Sequence, residues 1–75
     1  MMAMDVIRLG DKGAAVEDVQ RRLVTIGYLQ EGAIDGIFGD VTAAAVHRFR
    51  EKMGLEPGDE VDERTWSALV DASYH

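Results

Sequence analysis

Few side chains in this sequence have the means to do chemistry, and most of them are acidic. Glu31, Asp35, Asp40, Asp59, Glu60 and Asp62 raise the question of a carboxylate pair, one member donating a proton while the other accepts one. They crowd loops and the starts of predicted helices, where solvation and the helix dipole account for them more simply. His47 and His75 are the only histidines, one mid-helix and one terminal, so no zinc-binding pair at helical spacing exists. Ser67 sits inside a helical run without the strand-turn-helix elbow or the base that a nucleophilic triad needs. With no cysteine in the chain, thiolate metal sites, Cys nucleophiles and disulfides are excluded. The stretch "IDGIFGDVTAAAVHRF", Ile34 to Phe49, has the glycines and acid of a calcium loop. Yet Ile37, Phe38 and Val41 occupy places where oxygen ligands would be required. The expectation is a binding module with no catalytic residue, no metal and no cofactor.

A chain of 75 residues with 47% hydrophobic content supports one domain and one core. Its net charge of -6, from 14 acidic and 8 basic side chains, opposes nucleic acid and anionic lipid, which are held by Lys and Arg. The start "MMAMDVIRLG" lacks the basic region and apolar stretch of an export signal, and no later run approaches membrane-spanning length. No nucleic-acid or membrane partner is expected, and a monomer is.

The elements that must position any site are helices. In "GAAVEDVQRRLVTIGYL" the apolar residues Val16, Val19, Leu23 and Ile26 recur at helical spacing, with Glu17, Asp18, Arg21 and Arg22 opposite. This predicts a helix over 14–26, closed by Gly27, with Tyr28 packing back on its last turn. A second helix is predicted over 40–53, burying Ala45, Val46, Phe49 and Met53 and stopping at Gly54. A third, over 62–72, opens with Asp62 as its cap, accepting from the Thr65 N–H, and buries Trp66 and Leu69. Asp35 is expected to make an Asx-type turn, with Gly36 and Gly39 in conformations costly to other residues; Gly39 is assigned a positive φ and the greater need. Ser73 to His75 are expected to fray.

Sliding the sequence by 27 positions aligns Val19 with Val46, Arg21 with Arg48, Gly27 with Gly54 and Asp35 with Asp62. A further slip of four brings Thr42 over Thr65 and Ala45 over Ala68. The chain thus reads as an all-α, compact three-helix bundle built from two degenerate helix-loop-helix repeats sharing the middle helix. The expected division is an extension at 1–8, a domain at 9–72 and a tail at 73–75.

The series "IRLGDKGAAVEDVQRRLVTIGYL", "IDGIFGDVTAAAVHRF" and "VDERTWSAL" resembles the peptidoglycan-binding domain family, three-helix modules of bacterial and phage cell-wall hydrolases. The likeness runs through nearly all of the chain beyond residue 8. Arg50 departs from the pattern, where glutamine often follows the helix-two phenylalanine, and Gly58 stands one position early. The resemblance implies a noncatalytic module that holds peptidoglycan, by glycan or stem peptide, and targets an attached catalytic domain, in a parent protein of the cell wall or extracellular space.

Candidate contacts are Tyr28, Asp35, Gly36 and Arg48, in a shallow groove beside the 28–39 loop and the neighbouring helix-two face, with Trp66 at its margin. Gly27, Gly39, Thr42, Gly54, Asp62 and Thr65 are read as structural. Tyr28 suits either a helix-stop contact or sugar stacking, Trp66 either core or groove edge, and Gln20 either a loop pin or a ligand contact. A protein-protein module packing against a partner domain is the alternative. A helix-turn-helix DNA binder, suggested by Arg21, Arg22, Arg48, Arg50 and Lys52, is opposed by the charge balance and the acidic run before helix three.

Overall fold

Apolar residues at helical spacing, glycine stops and an aspartate cap produce three helices: α1 (Ala14–Thr25), α2 (Asp40–Lys52) and α3 (Glu63–Ser73), with a 3-10 turn at Glu31–Ala33. The computed structural model describes residues 6–74. Residues 1–5 of the expected extension and His75 of the expected tail lie outside the described residues. Among the described residues no strand forms, and the only bridges are Ile7 with Val61 and Lys12 with Ile37, both antiparallel.

α1 buries Val16, Val19, Gln20 and Leu23 and packs most extensively on α3. Its stop is a Schellman motif: the Tyr28 N–H donates to the Leu23 carbonyl at 2.8 Å and Gly27 N–H to Val24 at 3.0 Å. α2 ends in the same way, Leu55 donating to Arg50 at 2.9 Å and Gly54 to Glu51 at 3.2 Å. The core closes around Phe38, Phe49, Leu23 and Leu69, with Val61 and Ile7 completing it from the loops. α3 opens as its sequence predicts, the Asp62 carboxylate accepting from the Thr65 N–H at 2.8 Å.

Four expectations need correction. Ile7 is 8% exposed and exchanges backbone hydrogen bonds with Val61, so the packed unit reaches into the segment assigned to an extension. Met53, placed in the buried stripe, is 43% exposed because it is the C-cap of α2, where the chain turns away. Ser73, expected in the tail, lies within a helix. It is the last residue of α3, where its hydroxyl donates to the Leu69 carbonyl at 2.6 Å and accepts from Arg22 at 3.0 Å.

The fourth concerns Gly39. It has φ -104, an extended N-cap that any residue adopts, with open space where a Cβ would project. Gly36 is the constrained one: its φ is +75, and a Cβ there would lie 3.7 Å from the Gly13 carbonyl oxygen, on a turn whose own carbonyl accepts from Gly13 N–H at 2.9 Å. Gly36→Val is therefore expected to cost about 1 to 3 kcal/mol. Gly39→Ser is expected to be neutral or slightly stabilising, because a hydroxyl would supply the side-chain cap that α2 lacks. Urea melts of the two variants check this, and equal losses would contradict it.

Candidate functional site

The α1 stop sets one wall of the site. Because Gly27 turns the chain, Tyr28 folds back and meets Phe49 edge to face, with ring centroids 5.8 Å apart and planes at 89°. The remainder of its ring faces an open groove with three walls. One is the 27–33 segment, the second is the exposed face of α2, and the third is the turn at Pro57–Asp59. The groove encloses about 1470 Å³ of open space, and its floor is apolar and small, with Ala43 and Ala44 from α2, Ala33 and Gly32 opposite, and Leu29 beside Tyr28. Small side chains keep the floor wide, and the rim is polar: Gln30, Asp40, His47, Arg48 and Asp59. Arg48 crosses the Tyr28 ring at 6.0 Å and donates to the Tyr28 carbonyl at 3.0 Å, tying α2 to the 27–33 wall.

Of the five candidate contacts, the structure brings two together in this groove, Tyr28 and Arg48. The other three face elsewhere. Asp35 accepts from the Ile37 N–H at 2.9 Å, the expected Asx turn, and from Gln20 at 3.0 Å. Gly36 donates its N–H to the Gln20 side-chain oxygen at 2.8 Å. Gln20 is fully buried and is a loop pin: its oxygen also accepts from Asp35 N–H at 3.1 Å, while its amide nitrogen lies 3.0 Å from the Ile37 carbonyl and 2.9 Å from the Thr42 hydroxyl. Trp66 is half-buried against the core, under the Arg22 guanidinium at 5.3 Å.

A second buried polar residue fixes the third wall. Arg50 is 7% exposed and donates to the Glu56 carbonyl at 3.0 Å, the Glu60 carbonyl at 2.8 Å and the Thr65 hydroxyl at 2.8 Å, and lies 3.4 Å from the Asp62 carboxylate. Gly58 passes over it, so that a Cβ at Gly58 would sit 3.6 Å from the guanidinium. The Pro57–Asp59 turn is thus held at both ends by one side chain. From its residue type Arg50 reads as a surface cation. Its position beside Phe49, one residue along the buried face of α2, was the available signal.

Val41, Ala44 and His47 on α2 are among the groove-lining residues missing from the sequence-based set. Their spacing of three was legible, and so was the oddity of a β-branched residue on the face opposite the core stripe; Val41 is 65% exposed. The Pro57–Asp59 wall carries no such signal, since its placement depends on Arg50.

Two carboxylates titrate low. The Ile37 N–H and then the Gln20 amide hold Asp35 below the ordinary 3.8; the Thr65 hydroxyl, the Thr65 N–H and the Arg50 charge do the same for Asp62. A carboxyl depressed by folding lends stability that is present above its unfolded pKa and is lost as pH falls through its folded value. The melting temperature is expected to hold between about pH 7 and 5 and to fall below about pH 4. Asp62→Asn, which keeps the capping oxygen but cannot titrate, is expected to show a smaller fall. An identical acid limb in that variant, followed by circular dichroism, would remove Asp62 as a cause.

Among the described residues, no group of three or more His, Cys, Asp or Glu is placed to hold a metal ion. The geometry is that of a surface groove on a three-helix scaffold. Residues 12–69 match the family described as "Putative peptidoglycan binding domain", and the chain belongs to that family. Among solved structures it is similar to the SleB N-terminal domain, with 34% identity and a TM-score of 0.88 over 97% of this chain and 99% of that one. A peptidoglycan-binding protein from Clostridioides difficile, solved with glutamine hydroxamate, gives 33% identity and a TM-score of 0.88, over 97% of this chain and 45% of that one. The endolysin of Burkholderia AP3 phage gives 38% identity and a TM-score of 0.79, over 87% of this chain and 24% of the endolysin. The chain therefore spans less than half the length of the last two.

Proposed function

We propose that this chain is a noncatalytic, monomeric module that holds bacterial peptidoglycan in the groove between the 27–33 segment, α2 and the Pro57–Asp59 turn, and so keeps an attached cell-wall hydrolase on its substrate. The observation that carries this is the groove itself: an apolar floor beside the half-buried ring of Tyr28, a rim of hydrogen-bonding side chains, and walls fixed by Arg48 and Arg50. N-acetylated sugars and short peptides have apolar faces that cover such a floor and amides that meet such a rim. Tethering raises the local concentration of an enzyme without changing its chemical step. The parent protein would act at the cell wall. The unit runs from about residue 6 to Ser73. It is read as two helix-loop-helix copies, each locked by a buried polar side chain, Gln20 in one and Arg50 in the other.

A partner-domain contact is a second reading for a different face. Leu9 and Ile37 are 53% and 52% exposed, and their segments are joined by the Gly10 N–H to Phe38 carbonyl bond of 2.9 Å.

Co-sedimentation with purified insoluble peptidoglycan tests the first reading. Wild type is expected in the pellet, releasing no soluble fragments. Ala44→Arg, which fills the floor from an exposed helix position, is expected to stay folded and remain in the supernatant, and Tyr28→Ala to lose roughly tenfold in affinity. If Ala44→Arg sediments as wild type does, the groove is not the site. If wild type stays in the supernatant, the partner-domain reading takes its place.

A further inference from the structure

We propose that the groove selects the part of the stem peptide that carries a free side-chain ammonium, which Asp40 and Asp59 receive. The inference rests on the wall-binding reading above and goes on to choose among the wall's chemical groups.

Charge decides the choice. Two carboxylates line the groove from different elements, Asp40 in the first turn of α2 and Asp59 in the Pro57–Asp59 turn. Neither takes part in an ion pair or a side-chain hydrogen bond among the described residues. Arg48 is the only Lys or Arg on the lining; it donates to the Tyr28 carbonyl at 3.0 Å and leans on the Tyr28 ring, which leaves two carboxylates against one cation. The positive end of α2, which would otherwise attract an anion, already has Asp40 beside it. His47 is the remaining titratable group on the α2 wall.

A ligand carboxylate would therefore meet two like charges, whereas a ligand cation would meet two carboxylates that form no ion pair among the described residues. A diamino-acid side chain fits both features at once. Its methylenes would lie along Ala43, Ala44 and Leu29, and its ammonium would reach the carboxylates of the lining, the way an amphipathic cationic side chain divides itself between apolar and polar surroundings. The position of Asp59 is built in advance, because Arg50 anchors Glu56 and Glu60 on either side of it. In peptidoglycan such an ammonium is free wherever a stem's own side-chain amine has not been acylated in a cross-link, so stems that keep that amine are the preferred target.

The test uses purified insoluble peptidoglycan before and after acetylation of its free amines with acetic anhydride, with the fraction of protein sedimented measured over a range of wall concentrations. Acetylation is expected to weaken wild-type binding on the order of tenfold, and added salt to weaken binding to untreated wall only. Asp59→Asn, which lies in no helix, and the double variant Asp40→Asn with Asp59→Asn are expected to bind untreated wall more weakly, with the double variant indifferent to acetylation. Melting curves check that both remain folded. Equal wild-type sedimentation with the two walls would overturn the ammonium assignment while leaving wall binding in place. Wild type absent from the untreated pellet would overturn both.

Discussion

Gln20→Met is expected to cost about 3 to 4 kcal/mol, more than any exposed substitution in the molecule. The two side chains have nearly the same volume, so the change isolates hydrogen bonding from packing. Gln20 is fully buried and meets five groups on the 35–42 segment: the Asp35 and Gly36 N–H groups, the Asp35 carboxylate, the Ile37 carbonyl and the Thr42 hydroxyl. A thioether satisfies none of them well, and those that stay buried bear the desolvation cost. A domain of this size has roughly 4 to 11 kcal/mol to lose, so the melting temperature is expected to fall by more than about 10 °C. Gln20→Glu separates the two halves of the amide. Its oxygens still accept from Asp35 and Gly36 N–H, but they oppose the Asp35 carboxylate, so the expected loss persists at neutral pH and shrinks in acid. A variant Gln20→Met that melts like wild type would show that these contacts contribute little.

Arg50→Met is expected to have the next largest effect, about 2 to 4 kcal/mol, together with weaker wall binding. The guanidinium satisfies two loop carbonyls and one hydroxyl and lies beside the Asp62 carboxylate. Removing it leaves the Glu56 and Glu60 carbonyls without their donor and loosens the turn between them. Arg50→Lys keeps the charge without the planar fork and can reach at most some of these acceptors, so it is expected to recover part of the stability. The binding readout distinguishes a positioning residue from a merely stabilising one. Below the melting range of the variant, a purely stabilising residue would leave sedimentation unchanged, whereas loss of the third wall would reduce it. Unchanged binding by folded Arg50→Met would separate the Pro57–Asp59 turn from the site.

These two residues also mark how far the sequence could be read. Helix limits predicted from sequence lie within one residue of those observed, because periodic apolar positions, glycine stops and the Asp62 cap are local signals with local causes. Gln20 is legible only as a choice between loop pin and ligand contact, because sequence does not show which backbone groups it meets. Arg50 escapes such a reading because a cation in a basic helix segment looks solvated until the loop that wraps it is known. Gly39 draws the attention that belongs to Gly36, since sequence shows the cluster of glycines but not which of them carries the turn. The groove was only half legible. Tyr28 stands out as an aromatic beside a helix stop and Arg48 as a cation on the helix-two face, while Val41 and Ala44 show only their spacing of three, which does not by itself mark a groove. Asp35 and Trp66 are attractive by residue type alone, and their hydrogen bonds and packing take them away from the groove.

Whether peptidoglycan is held between the 27–33 segment, α2 and the Pro57–Asp59 turn is tested most directly by a backbone amide chemical-shift map. The folded protein is titrated with soluble peptidoglycan fragments that retain their stem peptides. Saturable shifts are expected at Tyr28 to Ala33, at Val41, Ala44 and His47, and at Gly58 and Asp59, with Trp66 and the Gly36–Ile37 turn unmoved. Shifts confined to Trp66 and the Asp35–Ile37 turn, or no shifts from fragments of the wall that the protein sediments with, would contradict a site in this groove.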